Sequence, residues 1–178
     1  VIASGALILL PLLGRRRAGE WARGGLSAQE VLGTLFYFGS IAVAFMFLEM
    51  ALLPKYILLL SHPIFSMAVV LAAVLVFAGC GSLTVRHVKS KSLWVAVTCV
   101  CGWVLVQALL EERLFAWALG WPFGGRLALT VVMVGALSFF LGWPFPIGLR
   151  EISGRFSSLV PWAWGINGCA SVVGAVLG

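Results

Sequence analysis

The feature that most constrains the fold is a pair of long apolar runs, about 34–53 and 64–84, separated by a short break. Each run matches the roughly 20 apolar residues that an α-helix needs to cross the hydrocarbon core of a bilayer. The sequence therefore predicts a membrane helical hairpin. The break between its arms is marked by two prolines and two basic or titratable residues, namely Pro54, Lys55, His62 and Pro63.

Composition excludes a soluble domain. Hydrophobic residues make up 62% of the chain and charged residues 10%, whereas soluble domains typically carry about 25% charged residues. The apolar runs are continuous, while a membrane β-barrel would show short alternating segments. We therefore expect an all-α fold, a polytopic transmembrane helical bundle. The net charge of +6 is what basic loops beside a membrane produce, so we expect no nucleic-acid partner.

A single membrane domain is expected over residues 1–178, with about six membrane segments of which the first and last are incomplete. Because the chain starts at Val1 and both its ends lie in apolar runs, we interpret it as a piece of a longer polypeptide. The predicted segments are about 1–13, 34–53, 64–84, 93–110, 127–147 and 163–178.

Basic residues predict the orientation. If the segments alternate in direction, nine Lys and Arg residues fall on one side of the membrane and three on the other. Loops rich in Lys and Arg stay in the cytoplasm under the positive-inside rule. We therefore expect the loops near 15–30, 85–92 and 148–162 to be cytoplasmic.

Glu49 is a carboxylate inside an otherwise apolar run. An acidic residue at the centre of a membrane helix costs about 2.5–3.5 kcal/mol on insertion scales, so this side chain is expected to face the bundle and to pair. Lys55 lies on another face of the helix and is expected to extend to the interface. The candidate intramembrane polar site is therefore Glu49 with His62, Gln107 and Arg126. It would act as a cation, amine or proton site, or as a structural hydrogen bond between helices.

A second set of residues predicts close packing and a helix break. Pro144 and Pro146 each lack a backbone donor, so a helix must kink or stop there. Asn167 is a candidate partner for the carbonyls that those prolines free, which would form a structural lock; a ligand site is the alternative. Small residues that let membrane helices approach closely are Gly79, Gly81, Ala170, Gly174 and Gly178.

No catalytic, cofactor or metal site is expected in this segment. A Ser/His/Asp set is missing, and no glycine-rich phosphate loop follows a strand. His62 and His87 lie at opposite ends of one predicted helix, separated by roughly 35 Å at 1.5 Å per residue, so they are too distant to share a haem or metal.

Four motifs carry a resemblance to a known family. In order they are FMFLEMALLPKYILLLSHP at 45–63, GCGSL at 79–83, PFPIGLR at 144–150 and PWAWGINGCASVVG at 161–174. Residues 34–178 thus resemble the C-terminal membrane domain of bacterial membrane-bound spermidine synthase-like proteins. Two departures stand in the first motif. Leu53–Pro54–Lys55 replaces the isoleucine, glutamine and arginine that are more common in the family, and Ser61 replaces a usual glycine.

The resemblance implies a non-catalytic domain that anchors or assembles a synthase-like protein in the bacterial inner membrane. In that family the membrane segments are fused to an aminopropyltransferase-like, nucleotide-methyl-donor-binding domain, which holds the catalytic residues. The expected partners are the lipid bilayer, a fused or associated soluble synthase-like domain, and other membrane subunits. Two alternatives remain: a structural or accessory subunit of a larger membrane complex, and a transport element with Glu49 as its cation or amine site.

Overall fold

A computed structural model describes residues 27–87 and 92–178, and within these ranges every regular element is helical. The all-α fold expected from the sequence is therefore confirmed. Short 3₁₀ turns follow the second helix at Val85–His87 and precede the last at Ser157–Leu159. The helices are α1 (Ala28–Leu60), α2 (Pro63–Thr84), α3 (Ser92–Ala118), α4 (Phe123–Leu141), α5 (Pro144–Arg155) and α6 (Val160–Leu177).

Five stretches of the described chain are long and apolar enough to cross a membrane, so the protein is multi-pass. They correspond to the last five predicted segments, whereas the segment predicted at 1–13 lies outside the described residues. Large apolar side chains on these helices point outward, as Ile64 (87% exposed) and Trp94 (76% exposed) do, and they suit contact with lipid. The stretches are Ala28–Leu60, Pro63–His87, Leu93–Ala118, Phe123–Arg155 and Ser157–Leu177.

Helix α1 begins with a capping box. The Glu30 backbone N–H donates to Ser27 Oγ at 3.2 Å, and the Ser27 backbone N–H donates to Glu30 Oε2 at 2.9 Å. These reciprocal bonds satisfy donors that the first turn of a helix leaves open. The Ser-x-x-Glu spacing of residues 27–30 is a sequence signal for this helix start.

Helix α1 ends later than the sequence predicted. It runs through Pro54 and Lys55 to Leu60, so the expected break at Pro54 is wrong. A membrane helix tolerates an internal proline because local adjustments and neighbouring helices satisfy the freed carbonyl groups. The turn is confined to Ser61 and His62, where Ser61 adopts a φ of 61°. Pro63 then starts α2, a position where its missing N–H costs no hydrogen bond.

The described residues form two compact units. Among the described residues, the first unit contains 27–48 together with Gly148–Gly178, and the second contains those within Glu49–Ile147. The expected single membrane domain over 1–178 stays a prediction. One hydrophobic cluster of the first unit is built from the buried pair Val31 and Leu159, and the residues packed against it are Leu35, Ile152, Phe156 and Trp162.

The second unit is organised around the contact between α2 and α4. At Gly81 an added Cβ would collide with the Phe139 carbonyl group, and at Gly142 it would collide with that of Ala78. At Gly135 it would lie 2.8 Å from the Phe77 ring. The two helices therefore approach with backbone against backbone, as small residues permit in membranes. The sequence interpretation singled out Gly81 and missed Gly135 and Gly142.

The other small residues singled out from sequence have different surroundings. Gly79 is exposed, and nothing lies within 4 Å of an added Cβ there, so it does not mediate the close contact. Gly79 lies two residues before Gly81, and two residues turn a helix by about 200°. The two glycines therefore face different sides of α2. In the first unit Gly174 lies against Met46. A Cβ atom added at Gly174 would lie 2.9 Å from the Met46 Cβ. The N–H of Gly178 donates to the Gly174 carbonyl group.

Candidate intramembrane polar site

Four polar side chains of the second unit lie between α1, α3 and α4. Helix α1 contributes Lys55 and Tyr56, and α3 contributes Gln107 and Glu111. Gln107 and Glu111 are four residues apart, so they share one face of α3. We refer to Lys55, Tyr56, Gln107 and Glu111 as the polar cluster.

An ion pair forms one part of the polar cluster. Lys55 Nζ donates to Glu111 Oε2 at 2.5 Å, and the two side chains are 43% and 22% exposed. The expectation that Lys55 extends to the interface stays a prediction. The opposite charge that α3 brings alongside α1 stabilises the pair, because pairing lowers the cost of holding either charge away from water.

Hydrogen bonds form the other part. The phenol oxygen of Tyr56, a residue that is 2% exposed, accepts from Gln107 Nε2 at 3.2 Å. The same Nε2 atom donates to the Met133 carbonyl oxygen at 3.4 Å, and Trp103 Nε1 donates to that oxygen at 3.0 Å. These bonds join α1 to α3 and α3 to α4. Trp103, in the middle of a predicted span, thus packs against a neighbouring helix.

A cavity of about 100 Å³ opens beside the polar cluster. All four polar side chains line it, and the Tyr56 and Phe115 rings lie there with their centroids 5.6 Å apart. The remaining wall is apolar, formed by Leu52, Val106, Leu110, Leu114 and Met133. The site therefore combines a charged pair, an amide and two aromatic rings with an apolar pocket.

Arg126 and His62 cap the end of α1. Arg126 Nη1 donates to the Leu59 carbonyl oxygen at 3.2 Å, and His62 Nδ1 lies 3.0 Å from the Leu60 carbonyl oxygen, which can only accept. The last four carbonyl groups of a helix lack partners within it, and a cation near that end is favourable. The His62 ring also meets the Phe123 ring edge-on. Both residues therefore close the turn between α1 and α2.

Glu49 does not join the partners predicted for it. It makes no hydrogen bond or ion pair with any residue in 27–87 or 92–178. Gln107 is bound to Tyr56, while His62 and Arg126 are bound to carbonyl groups of α1. The sequence interpretation missed Tyr56 and Glu111. A usable signal was that Lys55 and Glu111 were predicted near the same membrane surface.

The proline pair lies where a helix stops. Helix α4 ends at Leu141, and α5 begins at Pro144 and includes Pro146, so the stop expected from these prolines is present. The backbone carbonyl group of Asn167 accepts a hydrogen bond from Ser171 Oγ at 2.8 Å. The hydrogen bond expected between the Asn167 side-chain amide and the carbonyl groups that the prolines free stays a prediction.

An open groove of about 570 Å³ lies on the first unit. Its wall is almost wholly apolar, and the hydroxyl group of Ser40 there donates to the Phe36 carbonyl oxygen at 2.7 Å. Small residues, among them Gly39, Ala44 and Ala170, line it together with Leu35, Val43, Phe47 and Ile166. The groove offers a packing surface without polar chemistry.

Within the two described ranges, no three His, Cys, Asp or Glu side chains lie close enough to share a metal ion. No protein-family model, curated protein or solved structure matches the chain.

Proposed function

We propose that this chain is the non-catalytic membrane domain of a spermidine synthase-like protein, which it anchors or assembles in the bacterial inner membrane. The loops near 15–30, 85–92 and 148–162 are cytoplasmic in this proposal. The lipid bilayer and a fused or associated soluble synthase-like domain are its partners, with other membrane subunits as further candidates.

The observation that carries the proposal is the backbone of Ser61. Its φ of 61° lies in the left-handed region, where glycine is favoured because a Cβ atom is crowded there. This is the position at which the resembled family usually has glycine. Serine thus stands where the family usually has glycine, yet the backbone conformation at this position is still one that favours glycine. This agreement supports the resemblance.

The use of polar side chains supports a structural role. The Lys55–Glu111 ion pair, the Gln107–Tyr56 hydrogen bond and the Arg126–Leu59 hydrogen bond each join two helices. In membranes, such bonds and close packing hold helices together because lipid gives no hydrophobic drive between them. A domain with these features suits anchoring and assembly.

The proposal is tested on the native polypeptide by intact-mass measurement and peptide mapping beyond both ends of this sequence. We expect a mass well above 19.0 kDa and upstream peptides that contain a methyl-donor-binding glycine motif. A polypeptide that ends near these boundaries and copurifies with no synthase-like protein would instead favour an accessory subunit.

The second candidate is a transport element centred on Glu49. The observation that favours it is a carboxylate within a spanning helix that pairs with no described residue. Replacement of Glu49 by Gln tests it. Lost amine uptake with unchanged folding would support transport, while normal uptake and normal assembly would exclude a special role for Glu49.

A further inference from the structure

The cavity beside the polar cluster has hydrogen-bonding capacity that the described residues do not use. Glu111 binds Lys55 through Oε2, and no described residue donates to Glu111 Oε1. Gln107 donates twice through Nε2, and no described residue donates to its Oε1. Both side chains line the cavity. Two oxygen acceptors without a described donor therefore belong to side chains that line one cavity.

Two aromatic rings also line this largely apolar cavity. Tyr56 and Phe115 border the same cavity, and the face of an aromatic ring attracts cations through its quadrupole. A carboxylate oxygen, an amide oxygen and two rings together favour an ammonium group. An anionic ligand would instead be repelled by Glu111.

Lys55 already presents an ammonium group to this site. Its Nζ atom is bound to Glu111, yet 43% of its side chain is exposed, so it has room to move outward. The Lys55 side chain thus occupies the position of a ligand headgroup while remaining attached to α1. A free ammonium ion that entered the cavity would compete with it for Glu111.

The size and walls of the cavity limit the rest of the ligand. The wall beyond the polar cluster is apolar, and it suits an alkyl chain. The volume is about 100 Å³, and a dry apolar cavity of about 150 Å³ holds a benzene molecule. A chain of about four carbon atoms is therefore the size that this pocket accepts.

We propose that this cavity binds a short primary alkylammonium ion, whose headgroup displaces the Lys55 ammonium group from Glu111. The alkyl chain packs against Leu52, Leu110 and Met133, and the ammonium group donates to the open oxygens of Glu111 and Gln107. Lys55 acts as an internal competitor that lowers the apparent affinity. This site is separate from Glu49, and it does not rest on the proposed function.

The test uses the purified protein in lipid nanodiscs and n-butylammonium as the probe, with calorimetric titration as the readout. Neutral n-butanol is the matched control ligand, because it has the same alkyl chain without the charge. We expect saturable binding of n-butylammonium and none of n-butanol. Equal binding of both compounds would overturn the proposal, because it would indicate partition into lipid or an apolar pocket alone.

Three variants sharpen the test. Lys55→Met is expected to tighten n-butylammonium binding about tenfold, the factor expected if Lys55 occupies Glu111 about nine-tenths of the time. Glu111→Gln is expected to abolish binding, while Glu112→Gln, which changes an exposed neighbour outside the cavity lining, is expected to preserve it. Unchanged affinity in Lys55→Met, or equal binding by the two glutamine variants, would contradict the proposed site.

The double variant Lys55→Met with Glu111→Gln controls for folding. It removes both charges together, so neither member of this ion pair is left without its partner. We expect the double variant to fold, as judged by circular dichroism and size-exclusion chromatography, and to bind no n-butylammonium. Binding as strong as in Lys55→Met alone would overturn the role assigned to Glu111.

Discussion

Gln107 links three helices through one nitrogen atom. Its Nε2 donates to Tyr56 on α1 and to the Met133 carbonyl oxygen on α4, while its backbone belongs to α3. An amide in hydrocarbon is costly unless it is hydrogen-bonded. In the unfolded but inserted chain, however, such groups also find partners, so the net gain from each bond is small.

The Tyr56–Gln107 bond is expected to contribute about 0.6 kcal/mol of coupling, the average for such bonds in a membrane bundle. A double-mutant cycle with Tyr56→Phe and Gln107→Leu measures this value by reversible unfolding in mixed micelles. Each single variant is expected to destabilise the protein, and the double variant to lose less than their sum. Strict additivity of the two losses would contradict the bond.

Replacement of Ser61 by glycine is expected to stabilise the protein. The residue has a positive φ, and a non-glycine residue in this region costs roughly 1 kcal/mol. Glycine would relieve this cost because it has no Cβ. The free energy of unfolding in detergent measures the gain.

The matched control for this change is Ser40→Gly, at a helical position of α1. There glycine is expected to destabilise by about 0.5 kcal/mol, because it disfavours a helix interior. A loss of stability in Ser61→Gly as large as that in Ser40→Gly would be inconsistent with the left-handed backbone at Ser61.

Among the elements, α1 is the one whose end depends most on its neighbours. Its 33 residues span about 50 Å at 1.5 Å per residue, well beyond a hydrocarbon core of about 30 Å. The part after Pro54 is held by the contacts of Lys55 and Tyr56 with α3 and by Arg126 from α4. These contacts explain why the helix continues past a proline.

Arg126→Met is expected to weaken the end of α1 by about 1–2 kcal/mol, since a hydrogen bond from a charged donor to the Leu59 carbonyl group is lost. Hydrogen–deuterium exchange of amides near the end of α1 provides the local measurement. Arg113→Met, which changes an exposed arginine, is the control. Equal exchange in the two variants would show that Arg126 does not cap the helix.

The close contact between α2 and α4 depends on the absence of a side chain at Gly81. Gly81→Ala is expected to cost about 1–3 kcal/mol, because the added methyl group collides with the Phe139 backbone and forces the helices apart. Gly79→Ala in the same motif is expected to be neutral or stabilising, because nothing lies near it and alanine favours helix. Unfolding in mixed micelles compares the two, and equal losses would refute the close approach at Gly81.

At the scale of the whole molecule, membrane topology follows from the number and order of the spans. In the second unit, α1 and α2 meet at Ser61–His62, and α3 and α4 meet near Gly120. If each span crosses once, these two turns lie on one side of the membrane. The 3₁₀ turn Val85–His87 then lies on the other side.

Single cysteines test this topology in a background where the native cysteines Cys80, Cys99, Cys101 and Cys169 are replaced by alanine. His62→Cys and Gly120→Cys are expected to react with a membrane-impermeant maleimide from the same side, and Arg86→Cys from the opposite side. Labelling of Gly120→Cys and Arg86→Cys from one side would overturn the order of the spans.

The sequence predicted the class of fold because lipid imposes a simple rule. Every spanning backbone must satisfy its own hydrogen bonds, and a long apolar run does so only as a helix. The helical spans from 28 to 177 therefore followed from length and composition. The exact end of α1 did not follow, because Pro54 is a local break signal that contacts from α3 and α4 override.

The candidate site was only partly predictable, because helix rotation and depth decide which polar groups meet. The sequence identified Gln107, Arg126 and His62 as polar residues in or beside the spans, and by itself it determined the helical membrane fold. Tertiary structure alone decided that Lys55 meets Glu111 and that Gln107 meets Tyr56, while Arg126 meets the end of α1. The physical reason is that hydrophobic patterning fixes insertion into lipid, whereas specific polar pairs form only after inserted helices pack side by side.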